Sequence, residues 1–127
     1  MKLLDNQLDQ LSLRKFGEEA CRLFAASDFQ RLADIFGYAL GYDRDLASAI
    51  EADFEHCLSG RSTSPSERGA AVESVTVKNF QPNDTGLLSV IACVLLVDKS
   101  VRVYIDLIVA ENGENKNLYL ESMYGVA

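Results

Sequence analysis

Apolar residues recur at helical spacing in the first half of the chain and at alternate positions in the second. Leu13, Phe16, Ala20, Leu23 and Phe24 fall on one side of a helix, while Arg14, Glu18 and Arg22 follow at four-residue intervals on the other, where opposite charges support the helix. This spacing predicts a first helix over roughly 12–26. Ser27 with Gln30 three residues on forms a capping-box pattern, so a second helix begins near Asp28. Its buried stripe is Phe29, Leu32, Ala33, Phe36 and Leu40, with Gly41 placed to end it and Tyr38 opposite the stripe, facing solvent or a partner. Asp43 is positioned to cap a third helix running to about Leu58, followed by Gly60 as a stop signal.

After the segment GRSTSPSERGA, residues 60–70, whose small polar residues offer nothing to a core, the period changes to two. Strands are expected over roughly 72–80, 87–97, 100–110 and 116–123. In the third of these, Val101, Val103, Ile105, Leu107 and Val109 alternate with Arg102, Tyr104, Asp106 and Ile108. PNDTG at 82–86 is a turn-rich link, and both the short joint at Asp98 and Lys99 and the Asn-Gly signal in ENGENK at 111–116 suit antiparallel hairpins. The expected fold is α+β, three N-terminal helices packed on one face of a four-stranded antiparallel β-meander. Residues 1–127 are read as one domain, with a helical half at 1–59, a flexible connector at 60–70 and a sheet half at 71–127, because either half alone would leave its apolar face half-covered.

Composition narrows the partners. At 48% hydrophobic and 24% charged, the chain has a globular balance that needs neither metal nor disulfides to hold one core. A net charge of -7 argues against nucleic acid or an anionic membrane surface and favours a basic partner. Asp5 and Asp9 interrupt the N-terminal stretch where an export signal needs an apolar run, so a cytoplasmic location is expected. Cys21, Cys57 and Cys93 are odd in number and widely spaced, which reads as reduced and mostly buried thiols. The longest apolar run, LLSVIACVLLV at 87–97, is too short to span a bilayer as a helix.

The densest candidate chemistry is EADFEHC at 51–57, which holds the chain's single histidine. On a helix, Cys57 joins the stripe of Leu46, Ile50 and Phe54 while Glu51 and Glu55 point the other way, and only Asp53 lies within a turn of both His56 and Cys57. A buried thiol amid carboxylates is a poor nucleophile, and one histidine with distant cysteines is a poor zinc site. No phosphate-cradling glycine motif occurs, so no catalytic, metal or cofactor site is expected. Asp106, beside Tyr104 and near Tyr119 or Glu121 on the next strand, suits a general base only if a pocket surrounds it, as in NTF2-like enzymes and ligand-binding domains. What stands out is surface charge: Asp43, Asp45, Glu51, Asp53 and Glu55 lie within thirteen residues against one Arg44.

FGYALGYDRDLASAIEADFEHCL, VKNFQPNDTGLLSV and YIDLIVAENGENKNLYLESM together resemble small immunity proteins encoded beside bacterial polymorphic toxins, notably those of contact-dependent growth inhibition. The resemblance implies a protein that binds a cognate toxin domain, usually a nuclease, and blocks it without catalysis. Its contact residues are not carried over by the resemblance; charge and expected exposure select Tyr38, Tyr42, Asp43, Asp45, Glu51 and Glu55 first, then Tyr104, Asp106, Tyr119 and Glu121. Two other readings stand beside it. One is an NTF2-like small-molecule enzyme or ligand-binding domain using Asp106; the other is a homodimer formed through the second strand, apolar on both faces.

Overall fold

The computed structural model describes residues 1–58 and 69–126. The connector expected at 60–70 and the Gly60 stop lie almost wholly outside the described residues; of that stretch only Gly69 and Ala70 are described. The order is β1 (Lys2–Leu3), a 3-10 turn (Asp5–Gln7), α1 (Gln10–Ala25), α2 (Phe29–Phe36), α3 (Leu46–Leu58), β2 (Ala70–Asn79), β3 (Leu87–Val97), β4 (Val101–Asn112) and β5 (Asn115–Val126). The architecture is α+β with three helices, and the antiparallel sheet has five strands in the order β1-β5-β4-β3-β2. The fifth, β1, pairs Lys2 with Asn117 and Leu3 with Lys116. Two residues are too few to show alternation, which is why the sequence pattern does not announce it.

Each helix starts where a carboxylate accepts a free backbone N–H. Asp9 takes the N–H of Ser12 at 3.0 Å, so α1 opens two residues earlier than its apolar stripe implies. Asp28, not Ser27, caps α2 through the Arg31 N–H at 3.2 Å; Ser27 has φ of 56° and Gln30 bonds Asp34 instead. Asp45, not Asp43, caps α3 through the Ser48 N–H at 3.0 Å, since Asp43 is held at φ 49° in the preceding turn. The second helix ends at Phe36, where Gly37 takes φ of 68°, a left-handed conformation that favours glycine; the expected stop at Gly41 is four residues too late.

All three helices lie on one side of the sheet and share its core. Phe24 and Phe54 (ring centroids 5.1 Å apart) and Phe29 (5.8 Å from Phe54) tie the helices together, and Ile91, Cys93, Leu95, Val103, Ile105, Leu107 and Leu118 meet them from below. Each such side chain stabilises the fold by about 1.5–3 kcal/mol through burial. At Gly17 a Cβ would come within 2.7 Å of both Ile91 and Val75, so α1 crosses β2 and β3 at a distance that glycine permits. Register follows the burial period: Ile105 opposes Cys93 and Met123 on the covered face, while Asp106 opposes Ala92 and Ser122 on the other. Among the described residues, no helix covers that second face.

The hairpins form as their sequences suggest, with one change of detail. Asp98 and Lys99 both take positive φ, turning β3 into β4. In the next hairpin Asn112 still pairs with Asn115, so the turn is Gly113–Glu114 with Gly113 at φ 64°, one residue later than an Asn-Gly turn. Among the described residues, no helix is long and apolar enough to cross a membrane.

Candidate functional site

Two neighbouring areas gather the candidate residues, and the first is a corner built by the link between α2 and α3. Past Gly37 the chain runs beside the last strand: Tyr38 forms a parallel bridge with Leu120, and the Ala39 N–H donates to the Leu120 carbonyl at 2.9 Å. This places the Tyr38 ring under α3, 8% exposed, with its hydroxyl donating to Asp53 at 2.6 Å. Arg44 closes the link, its guanidinium 3.1 Å from Asp53 and 2.7 Å from the Leu40 carbonyl. Burial pushes the Asp53 carboxyl up, but the Arg44 and Tyr38 bonds outweigh it and hold the group below the usual range. Burial, and then the bond to Asp53, push the Tyr38 hydroxyl well above its ordinary value.

A hollow of about 410 Å³ opens beside this pair, lined in part by Asp53, His56, Cys57, Met123 and Tyr124. The helix therefore disperses EADFEHC less than its periodicity suggests, since Asp53, His56 and Cys57 reach one hollow. Their states do not favour nucleophilic chemistry. Burial and the Asp53 charge push the Cys57 thiol up to about 11, so it stays protonated at neutral pH. Asp53 is already engaged as an acceptor. Among the described residues, no three His, Cys, Asp or Glu side chains are grouped to hold a metal ion. Gly125 forms part of the wall because a Cβ there would run into the Cys57 carbonyl, so β5 and the end of α3 touch backbone to backbone.

The residues chosen for exposure on the helical side divide. Tyr38 is a correction: α2 stops before it, so it is a buried structural group rather than a surface anchor. Tyr42 is 76% exposed, and Asp43 and Glu51 are exposed as well. Asp45 is exposed but occupied, accepting from the Ser48 N–H and its hydroxyl, which hold its carboxyl low. Glu55 is half-buried, one turn beyond Glu51.

The second area is the bare face of the sheet. Tyr104, Asp106 and Ile108 project from β4 between Val103, Ile105, Leu107 and Val109, each fully buried on the helix side. Tyr104 stacks on Tyr124 of β5, centroids 4.9 Å apart and planes within 8°. Ile108 opposes Tyr119. Between these pairs the register shifts by one residue, so that Glu121 is the extra member of β5 and Ser122 faces Asp106. Burial pushes the Asp106 carboxyl up, and burial with the nearby Glu121 pushes Tyr119 up. Among the described residues, no hydrogen bond or ion pair engages Asp106. Tyr104, Asp106, Tyr119 and Glu121 thus come together as expected of neighbouring strands.

Sequence reasoning missed Tyr124, which is 55% exposed and belongs to both areas, stacking on Tyr104 and lining the hollow beside Asp53. Strict alternation from Tyr119 would turn position 124 inward; the bulge at Glu121 reverses it, and nothing local in the sequence marks a bulge there. Arg44 was visible as the one cation in an acidic run, but its role depends on the unpredicted path of residues 37–45. Comparison with family models, with curated proteins and with solved structures finds no match to this chain.

Proposed function

We propose that the chain works by stoichiometric binding of a basic protein, as an immunity protein that neutralises a cognate toxin domain of nuclease type. The observation that carries the reading is the aromatic and carboxylate surface on β4 and β5, where the exposed Tyr124 stacks on Tyr104 next to Asp106 along the strand. The exposed Tyr42, Asp43 and Glu51, before and on α3, add to the same chemistry. Rings supply contact area at low entropic cost, and carboxylates steer a basic target while repelling acidic ones. The net charge of -7 acts in the same direction. Of the side chains lining the hollow, Cys57 is protonated and Asp53 is engaged by Tyr38 and Arg44.

Asp106 serves the NTF2-like alternative less well. A base in a pocket between helices and sheet has to project from the covered face, and Asp106 projects from the other. A homodimer through the bare face would bring one Asp106 toward another in a shared apolar contact, which like charges oppose.

The test is co-expression with the C-terminal domain of a toxin encoded next to this gene, followed by isolation of a one-to-one complex. Rescue of growth, with affinity that falls as salt rises, supports the reading. A neighbouring toxin domain that kills regardless, and does not bind the purified chain at low salt, overturns it.

A further inference from the structure

We infer that the bare face of the sheet contains a seat for one guanidinium group, an arginine side chain of the bound partner, with Asp106 as counter-ion and the Tyr104–Tyr124 stack as its wall. The inference rests on the proposed protein-binding function and names the chemistry of its contact. Asp106 has small neighbours on both sides, Ala92 across β3 and Ser122 across β5, and large ones along its own strand, Tyr104 and Ile108. The carboxylate therefore lies at the floor of a shallow trough walled by rings and a branched chain.

Among the described residues, no cation fills the trough. Arg102, on the same face, is committed to Glu73 through two bonds of 2.7 and 3.0 Å. Lys78 lies over the Phe80 ring, 5.3 Å from its centroid. A half-buried carboxylate without a partner loses hydration and gains nothing in return, a cost that an incoming cation reverses. Arginine suits the trough better than lysine because a planar guanidinium stacks on aromatic faces while donating two bonds to a carboxylate.

The experiment is an NMR titration of the full chain with capped arginine amide, using the capped lysine and citrulline amides as controls. Arginine should give saturable shifts centred on Tyr104, Asp106, Ser122 and Tyr124, lysine weaker ones and citrulline none. Asp106→Asn should weaken arginine binding by roughly tenfold or more, as the loss of a charge-assisted pair implies. Ala92→Arg, which supplies a guanidinium from the adjacent strand, should block the probe even if the first variant folds poorly. Equal shifts with citrulline, an unchanged response in Asp106→Asn, or shifts centred on Asp43 and Glu51 would overturn the seat. The toxin assay separates the two claims. A variant that loses the probe yet neutralises the toxin domain in full overturns the seat as a partner contact and leaves the binding function standing. A chain that holds the probe but binds no basic toxin domain supports the seat and removes that function.

Discussion

Asp53 and Asp106 are both partly withdrawn from water, and the fold treats them in opposite ways. Asp53 receives the Tyr38 hydroxyl and the Arg44 guanidinium, and its carboxyl is held low in spite of burial. Asp106 receives nothing among the described residues, and burial alone raises it. A carboxylate knotted into a link between elements is part of the scaffold; one left open on a bare face is available to something else. The contrast also explains why an acidic stretch was a poor guide by itself. Of the five acids between positions 43 and 55, Asp45 caps a helix and Asp53 anchors a turn.

Four measurements break or sharpen this contrast. The largest effect should be kinetic and belongs to the Asp53 corner. With its thiol at about 11 rather than 9.0, Cys57 carries roughly a hundredfold less thiolate at neutral pH than an ordinary cysteine, and since a more basic thiolate is also more nucleophilic, alkylation of the folded protein should be slowed by roughly ten- to a hundredfold. Mass spectrometry against a urea-unfolded control reads this directly, and equal rates would mean the corner is open.

Next in size, Gly125→Ala should cost about 1–3 kcal/mol in chemical denaturation, because its methyl group meets the Cys57 carbonyl. The matching change on the bare face, Ser122→Ala, should stay within about 0.5 kcal/mol. Similar losses at the two sites would erase the distinction between corner and face.

Asp53→Asn should cost about 1 kcal/mol at neutral pH, the worth of an ordinary hydrogen bond strengthened by charge but shared with solvent. The folded-state pKa of Asp53 lies below its unfolded value, so its contribution is complete above the ordinary carboxylate range and is lost as pH falls through the folded value. The difference between wild type and variant should therefore shrink on acidification, and a gap that widens would contradict the Arg44 and Tyr38 pairing.

The smallest effect is expected at Asp106→Asn, with the opposite sign. Its folded pKa is raised, so the ionised group penalises the fold above that pKa and ceases to do so below the unfolded value. The variant should gain up to about 0.5 kcal/mol at neutral pH and match wild type in acid. A loss of stability would reveal a partner for the carboxylate.

The parts of the molecule legible in the sequence are those set by local periodicity. The ends of β3 coincide with its apolar run at 87–97, and the alternation of β4 separates Ile105 and Leu107 from Tyr104 and Asp106 correctly, because burial on one face enforces a period of two. The stripe of α1 was equally plain, as was that of α2 up to Phe36; Leu40, expected in it, lies beyond the helix. What stayed hidden depends on segments far apart in the chain. Gly17 is required by Ile91 and Val75, Gly125 by Cys57, and the burial of Tyr38 by Leu120. Gly41 was the expected end of the second helix, and the helix instead ends at Gly37, which nothing in the stripe's spacing singled out. The outward turn of Tyr124 follows from a single extra residue in β5, which hydrophobic patterning does not encode.

The pairing of Lys2 and Leu3 with Lys116 and Asn117 bears on how the chain assembles as it leaves the ribosome. Hairpins from β2 to β5 can zip in order as they emerge, each closing a short loop. Lys2 and Leu3, by contrast, have no strand to join until β5 has been made. Once β5 has formed, and until β1 docks, its rim offers unpaired amides to any passing strand, and the late docking of two residues withdraws part of that invitation.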